Sequence, residues 1–148
     1  AQLVNTIPAL VTQSGGAGFY RQGVSYVQEM LKVNASNTAV DVWCDSPVFK
    51  GGYYPSAPIL DISASKSDDK IYLNIVNRDT KNAIPVELGI IDKRISRISG
   101  KRFYHTDINA RNDFAMPETL HIENMGEIRE IILEPLSLHT LEITVSEL

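Results

Sequence analysis

Gly15-Gly16-Ala17-Gly18, Phe19-Tyr20-Arg21-Gln22-Gly23-Val24 and Ser25-Tyr26-Val27-Gln28-Glu29-Met30-Leu31-Lys32-Val33 follow one another without a break and read as a glycine loop, a short strand and an amphipathic helix. The glycines supply backbone freedom for a tight approach, and residues 19–24 are short and rich in aromatic and β-branched side chains, as in a buried strand. Then the period changes: Val27, Met30, Leu31 and Asn34 keep helical spacing, with Gln28, Glu29 and Lys32 on the other face. Arg21 and Gln22 stand in the middle of the strand, where a polar pair is expensive to bury unless each side chain finds partners. Their placement points to a cavity or a ligand. One strand–helix unit closes no core of its own, and the pattern changes after Ser36. The chain therefore divides into the end of one domain, residues 1–36, and the whole of another, residues 37–148.

Upstream, Leu3, Val4, Ile7, Leu10 and Val11 fall at helical spacing, and Pro8 kinks that helix or ends it near Ile7. Residues 12–18 form a polar, glycine-rich loop. The order helix, loop, strand, helix is the repeat of a parallel α/β barrel, whose strand-to-helix loops carry active sites. Downstream the pattern is β throughout. Val40-Asp41-Val42-Trp43-Cys44-Asp45 predicts a strand ended by Ser46-Pro47, with Trp43 and Cys44 as core residues. Residues 47–58, with Phe49, Tyr53 and Tyr54, read as a long loop whose aromatic rings either stack on sugars or cover the end of a sandwich. Residues 60–66 and 70–77 flank Ser67-Asp68-Asp69 as a hairpin, the two aspartates being solvated turn formers rather than a catalytic pair. Further strands are expected at 86–91, 95–98, 103–106, 119–122, 128–133 and 139–145. The fold class is mainly β, an antiparallel sandwich, preceded by the short helix–strand–helix unit.

Composition bounds the function classes. At 148 residues the chain holds one well-buried domain and little more. A net charge of −4 argues against nucleic acid, whose phosphates need a basic face, and leaves neutral polymers such as polysaccharides open. Cys44 is the single cysteine, so neither an intrachain disulfide nor a cysteine-rich zinc site can form. His105, His121 and His139 are widely separated, with no short-range ligand pair, and no metal or cofactor is expected. No phosphate loop, nucleophile elbow or membrane-length apolar run is present. The chain starts on Ala1 rather than Met, which reads as a trimmed end.

Five segments in order carry a family resemblance: Ala1-Gln2-Leu3-Val4-Asn5-Thr6-Ile7; the glycine loop with Tyr20-Arg21-Gln22; Leu73-Asn74-Ile75-Val76-Asn77-Arg78-Asp79; Asp107-Ile108-Asn109-Ala110 through Asn112, Phe114 and Pro117; and Leu133-Glu134-Pro135-Leu136-Ser137-Leu138. The chain resembles the C-terminal third of a family fifty-one glycoside hydrolase, an α-L-arabinofuranosidase. The resemblance implies a (β/α)8 catalytic barrel followed by a jelly-roll sandwich. Residues 1–7 would end the seventh barrel helix, 19–24 would be the eighth strand, 25–33 the eighth helix, and the sandwich would begin near Thr38. It also implies that Gln22 hydrogen-bonds an arabinofuranosyl unit, with Arg21 and Tyr20 beside it. Tyr20, Gly23 and Tyr26-Val27 stand where the family often has Trp, Thr and a Tyr-Pro step, so the edge of the sugar pocket differs.

Retaining glycosidases need two carboxylates about 5 Å apart. Both family glutamates lie on earlier barrel strands, and no Asp or Glu here matches either; Glu29 falls on the outward face of the expected helix. The chain alone is therefore expected to be inactive. Its expected partners are the missing N-terminal barrel portion, an arabinose-containing oligo- or polysaccharide and further copies of itself, with no nucleic acid and no membrane. One rival reading is an independent carbohydrate-binding module using Tyr53 and Tyr54. Another is a separate subunit completing a split enzyme. Without the barrel, Leu3, Ile7, Val27 and Leu31 lack partners and are expected to rearrange onto the sandwich, pair between chains or be mobile.

Overall fold

The computed structural model describes residues 9–49 and 56–148. In chain order they form β1 (Leu10–Thr12), β2 (Phe19–Arg21), α1 (Gly23–Leu31) running into a 3₁₀ turn (Lys32–Asn34), then β3 (Thr38–Val40), β4 (Leu60–Ser67), β5 (Lys70–Asn77), β6 (Ile84–Val86), β7 (Lys93–Phe103), β8 (Ile122–Glu127), β9 (Ile131–Leu133) and β10 (Ser137–Glu147). Six strands make one sheet in the order β3-β4-β5-β10-β7-β8, while β1–β2 and β6–β9 are two-stranded ribbons. Every pairing is antiparallel. The described residues are thus mainly β with one short α-helix, a β-rich pattern that the alternation of apolar residues predicts.

The last strand is the central one. Leu141 of β10 stands opposite Leu73 of β5 on one side and Gly100 of β7 on the other. Side chains alternate across a strand, so Leu73 and Ile75 share one face with Leu141 and Ile143, joined by Leu60 of β4. Ile131 and Leu133 of β9 close over that face to complete a single apolar core, flanked by Ile84 and Val86 of β6. Gly100 is dictated by this packing: a Cβ there would lie 2.8 Å from Leu141 Cδ2 and from the Thr140 carbonyl oxygen. A glycine in a strand marks such a close approach.

The opposite face is the more polar one, setting Ser63, Asn74 and Thr140 beside Val76, Leu138 and Phe103, and it carries the N-terminal unit. Tyr26 of α1 stacks on Phe103 of β7, centroids 5.4 Å apart. Asn34, at the end of the 3₁₀ turn, accepts hydrogen bonds from Ser65 Oγ (2.8 Å) and Asn74 Nδ2 (3.2 Å). Tyr26 and Met30 are buried, but Val24 and Leu31 remain exposed. Of the residues expected to lack partners, Val27 is half-buried and Leu31 exposed, while Leu3 and Ile7 lie outside the described residues.

Several expected boundaries are corrected. Residues 1–8, and with them most of the helix expected upstream, lie outside the described residues. Leu10 and Val11 continue no helix but form β1, with Val11 opposite Tyr20 of β2. The glycine loop is accordingly a hairpin turn, with Gly15 and Gly16 at φ +83° and +72° and Gly16 N–H donating to the Gln13 carbonyl at 3.0 Å. The strand after it ends at Arg21, and the helix starts at Gly23. Trp43 and Cys44 are not core: both are exposed, Trp43 at 87%. The strand expected at 40–45 stops at Val40, the last residue of β3 to pair with β4, although β4 itself continues to Leu60. Residues 95–98 and 103–106 are not two strands; β7 runs unbroken from Lys93 to Phe103. The run expected at 86–91 pairs only through Val86, the strand near 119–122 is shifted to Ile122–Glu127, and 128–133 narrows to Ile131–Leu133. Residues 60–77 form the expected hairpin, Ser67 pairing with Lys70 and Asp68 taking φ +52°.

Candidate functional site

The β2–α1 junction holds the three residues singled out by the sequence, each engaged differently. Arg21 finds its partners inside the chain. Its Nε donates to Ser25 Oγ at 2.7 Å and its Nη2 to the Ser25 carbonyl at 3.2 Å and to Glu29 at 2.7 Å. Its guanidinium also lies 4.1 Å above the Tyr26 ring. One turn and two turns into α1 put Ser25 and Glu29 on the same side of the helix, so Arg21 folds back along it. Tyr20 meets Phe114 edge-on at 4.9 Å.

Gln22 is the hinge. Its extended backbone (φ −92°, ψ 162°) places it at the N-cap of α1, and its side chain makes no capping hydrogen bond. Its N–H donates to the Ala9 carbonyl at 3.0 Å, and its own carbonyl accepts from Ser25 N–H at 3.0 Å. The backbone is fixed while the half-buried amide is not spent on the cap.

The loop between β7 and β8, residues 104–121, lies over this junction. Asn112, 4% exposed, anchors it. Its Nδ2 is within hydrogen-bond distance of the Arg21 carbonyl (3.0 Å), Tyr26 Oη (2.9 Å) and the Leu120 carbonyl (3.2 Å), while its Oδ1 accepts from Leu120 N–H at 2.6 Å. A cavity of about 480 Å³ opens beside it, lined by Gly23, Lys81, Tyr104, His105, Asp107 and Leu120 among others. Asn112 appeared in the sequence only as a resemblance residue, and no local signal tied it to Arg21.

A second constellation resembles acid–base machinery. His139 is fully buried, with Nε2 3.0 Å from Glu134 Oε2, an approach that makes no hydrogen bond. Arg102 pairs with Glu134 and holds Glu123 through two further bonds of 2.8 and 3.0 Å, lowering the Glu123 pKa. Burial first, and the Arg102 charge second, push His139 down to about 4. It is neutral at neutral pH, and with no exposed surface it meets no substrate.

The histidines do not converge: His105 Nδ1 accepts the Asp107 N–H at 3.0 Å in the 104–121 loop, His121 is exposed and His139 is in the core. Among the described residues no group of three or more His, Cys, Asp or Glu is arranged to hold a metal, and no helix is long and apolar enough to cross a membrane. The Cys44 thiol is pushed up by partial desolvation and then by Asp45, the opposite of an activated nucleophile. Tyr53 and Tyr54 lie outside the described residues.

The described residues are thus an antiparallel sheet with a strand–turn–strand–helix unit docked on one face, and the candidate residues Tyr20, Arg21 and Gln22 lie at the dock. The family model for the α-L-arabinofuranosidase C-terminal domain matches residues 1–137, and the chain belongs to that family. The fold is similar to that of the family 51 arabinofuranosidase of Xanthomonas axonopodis pv. citri, with a TM-score of 0.82 and 18% identity over 97% of this chain and 30% of that one. The α-L-arabinofuranosidase of Thermotoga maritima, solved as an arabinose complex, gives 0.77 and 24% over 100% of this chain and 33% of that one. A family 51 α-L-arabinofuranosidase of Bifidobacterium longum gives 0.81 and 19%, over 97% and 29%. The chain thus spans about a third of the length of these enzymes. No curated protein matches it.

Proposed function

We propose that this chain is the C-terminal part of an α-L-arabinofuranosidase that removes terminal non-reducing α-L-arabinofuranosyl residues from arabinose-containing oligo- and polysaccharides with retention of configuration. The observation that carries the reading is the family match over residues 1–137, in a chain that spans a third of the similar enzymes. Residues 1–36 belong to the end of the catalytic barrel and residues 37–148 to a jelly-roll sandwich. The two catalytic glutamates lie in the barrel portion outside this sequence, which is this chain's first partner; further copies in a homo-oligomer are the second.

Within the chain, Gln22 is the sugar contact. Its position at a helix N-cap, with a rigid backbone and an amide left out of the cap, supports this role. An amide offers both a donor and an acceptor, which suits a sugar hydroxyl. Arg21 and Tyr20 shape the rim, Arg21 by stiffening α1 through Ser25 and Glu29. The net charge of −4 is compatible with a neutral glycan.

The test is hydrolysis of a chromogenic α-L-arabinofuranoside by the chain alone and by the chain with its barrel portion. Activity is expected only with the barrel portion, and there Gln22→Ala lowers kcat/KM by about 5- to 150-fold, the roughly 1–3 kcal/mol cost of leaving a buried sugar hydroxyl unpaired. Activity of the chain alone would overturn the assignment of the glutamates. Arabinoxylan binding by the chain alone, without hydrolysis, would favour a carbohydrate-binding module instead.

A further inference from the structure

We infer that Asn112 is a positioning residue for the sugar contact at Gln22, so that the sandwich, through its β7–β8 loop, sets the geometry of a site on the N-terminal unit. The inference rests on the reading of Gln22 given above. It starts from one peptide group. The Arg21 carbonyl and the Gln22 N–H belong to the same planar unit. Asn112 holds the carbonyl at 3.0 Å, and the Ala9 carbonyl holds the N–H at 3.0 Å. One end of that plane is therefore pinned by the sandwich and the other by the N-terminal unit, which leaves Gln22 little freedom to reorient.

The same loop grips both flanks. Phe114 packs edge-on against Tyr20, and a Cβ at Gly23 would sit 3.6 Å from Phe103 and 4.0 Å from Leu120. Asn112 also bonds Tyr26 Oη, one turn into the helix that Gln22 caps. Residues 20, 21 and 23 are thus each touched by β7 or by the loop that follows it, and Gln22 is bracketed between them. Asn112 itself is locked by both backbone groups of Leu120. A buried amide satisfied on all sides holds its partners rigidly, and displacement of a contact group by about 1 Å costs on the order of 100-fold in rate.

The experiment is a double-mutant cycle in the complete enzyme of which this chain is proposed to be part. Asn112→Asp keeps the size and the acceptor for Leu120 N–H, but sets an oxygen against the Arg21 carbonyl. At a temperature where circular dichroism shows both proteins folded, kcat/KM for the chromogenic arabinofuranoside is expected to fall about 10- to 100-fold. In the Gln22→Ala background the same substitution is expected to change it by less than about twofold, because coupled sites are non-additive. An effect of equal size in both backgrounds, or no effect in the Gln22 background, overturns the positioning role while the Gln22 contact stands. Gln22→Ala without effect overturns the contact itself, and the inference with it. Phe114→Leu, at a half-exposed position, supplies a milder second variant with the same expected non-additivity if Asn112→Asp folds poorly.

Discussion

The two faces of the six-stranded sheet are made by the same strands and do different work. On β5, Leu73 and Ile75 face the β6–β9 ribbon while Asn74 between them faces α1; on β10, Leu141 and Ile143 alternate in the same way with Thr140. The apolar face holds by area and is indifferent to direction. The polar face holds by a chain of amides and hydroxyls, Thr140 to Asn74 to Asn34 with Ser65, each needing its partner in one place. The first face therefore sets whether the domain folds, and the second sets where the β2–α1 unit sits upon it. That division puts the candidate sugar contact on the side whose interactions are directional.

The comparison breaks most visibly on the apolar face. Leu141 is fully buried at the centre of the sheet, so Leu141→Ala is expected to cost about 2–5 kcal/mol, read as a lower urea midpoint with an unchanged slope. An effect below about 1 kcal/mol would mean that the sheet does not depend on this layer. The same face also carries a buried titratable group, His139. His139, opposite Ile75 on one side and Arg102 on the other, and facing Glu134 from the β9–β10 link, is held at about 4 rather than its ordinary 6.5 by burial and then by Arg102. Between pH 6.5 and 4 the unfolded chain gains a proton that the folded chain refuses, so stability is full above 6.5 and falls as pH drops through that window. The expected loss is about 3 kcal/mol, and His139→Leu removes that slope. A slope that survives the substitution assigns the titration to another group.

What the sequence showed and what it hid follow the same division. The hairpin of β4 and β5 was legible because Ile71, Leu73 and Ile75 alternate cleanly and Asp68 tolerates a left-handed turn. β10 was legible for the same reason. Trp43 and Cys44 misled because apolar composition states a preference for burial without naming a partner, and β3 leaves β4 after Val40 although β4 continues to Leu60. Gly100 falls between the two strands expected at 95–98 and 103–106, and its meaning lies in a contact with Leu141, 41 positions away in the numbering. At the site, Arg21 and Gln22 stood out as polar residues in an apolar strand, and the Ser25 and Glu29 partners of Arg21 lie at helical spacings of 4 and 8. Asn112 lies 91 residues from Arg21, a separation at which no local pattern carries the pairing. Asn77 is similar: its Nδ2 meets the carbonyls of Asn82, Leu133 and Glu134, so a residue noticed for its family resemblance serves the corner between β5 and β9.

The polar face gives the smallest effect on stability and the sharpest test of the division. Asn74, 5% exposed, donates to Asn34 and Ser63 and accepts from Thr140 Oγ1. Asn74→Ala removes the middle of that chain and leaves Asn34 and Thr140 each short of a partner, a cost of about 1–3 kcal/mol. If the face serves mainly to place α1, the loss will not be uniform. Amide exchange is expected to speed up across Gly23–Leu31 and the 3₁₀ turn, while the amides of β5 and β10 slow or speed only as far as global stability changes. If instead every amide accelerates equally, the two faces form one cooperative unit, and the helix is located by the apolar Tyr26–Phe103 stack rather than by the amides. Tyr26→Leu then separates these cases: it keeps apolar bulk but loses the stack and the hydroxyl that meets Asn112. Local acceleration from Asn74→Ala that exceeds that from Tyr26→Leu assigns placement to the polar network.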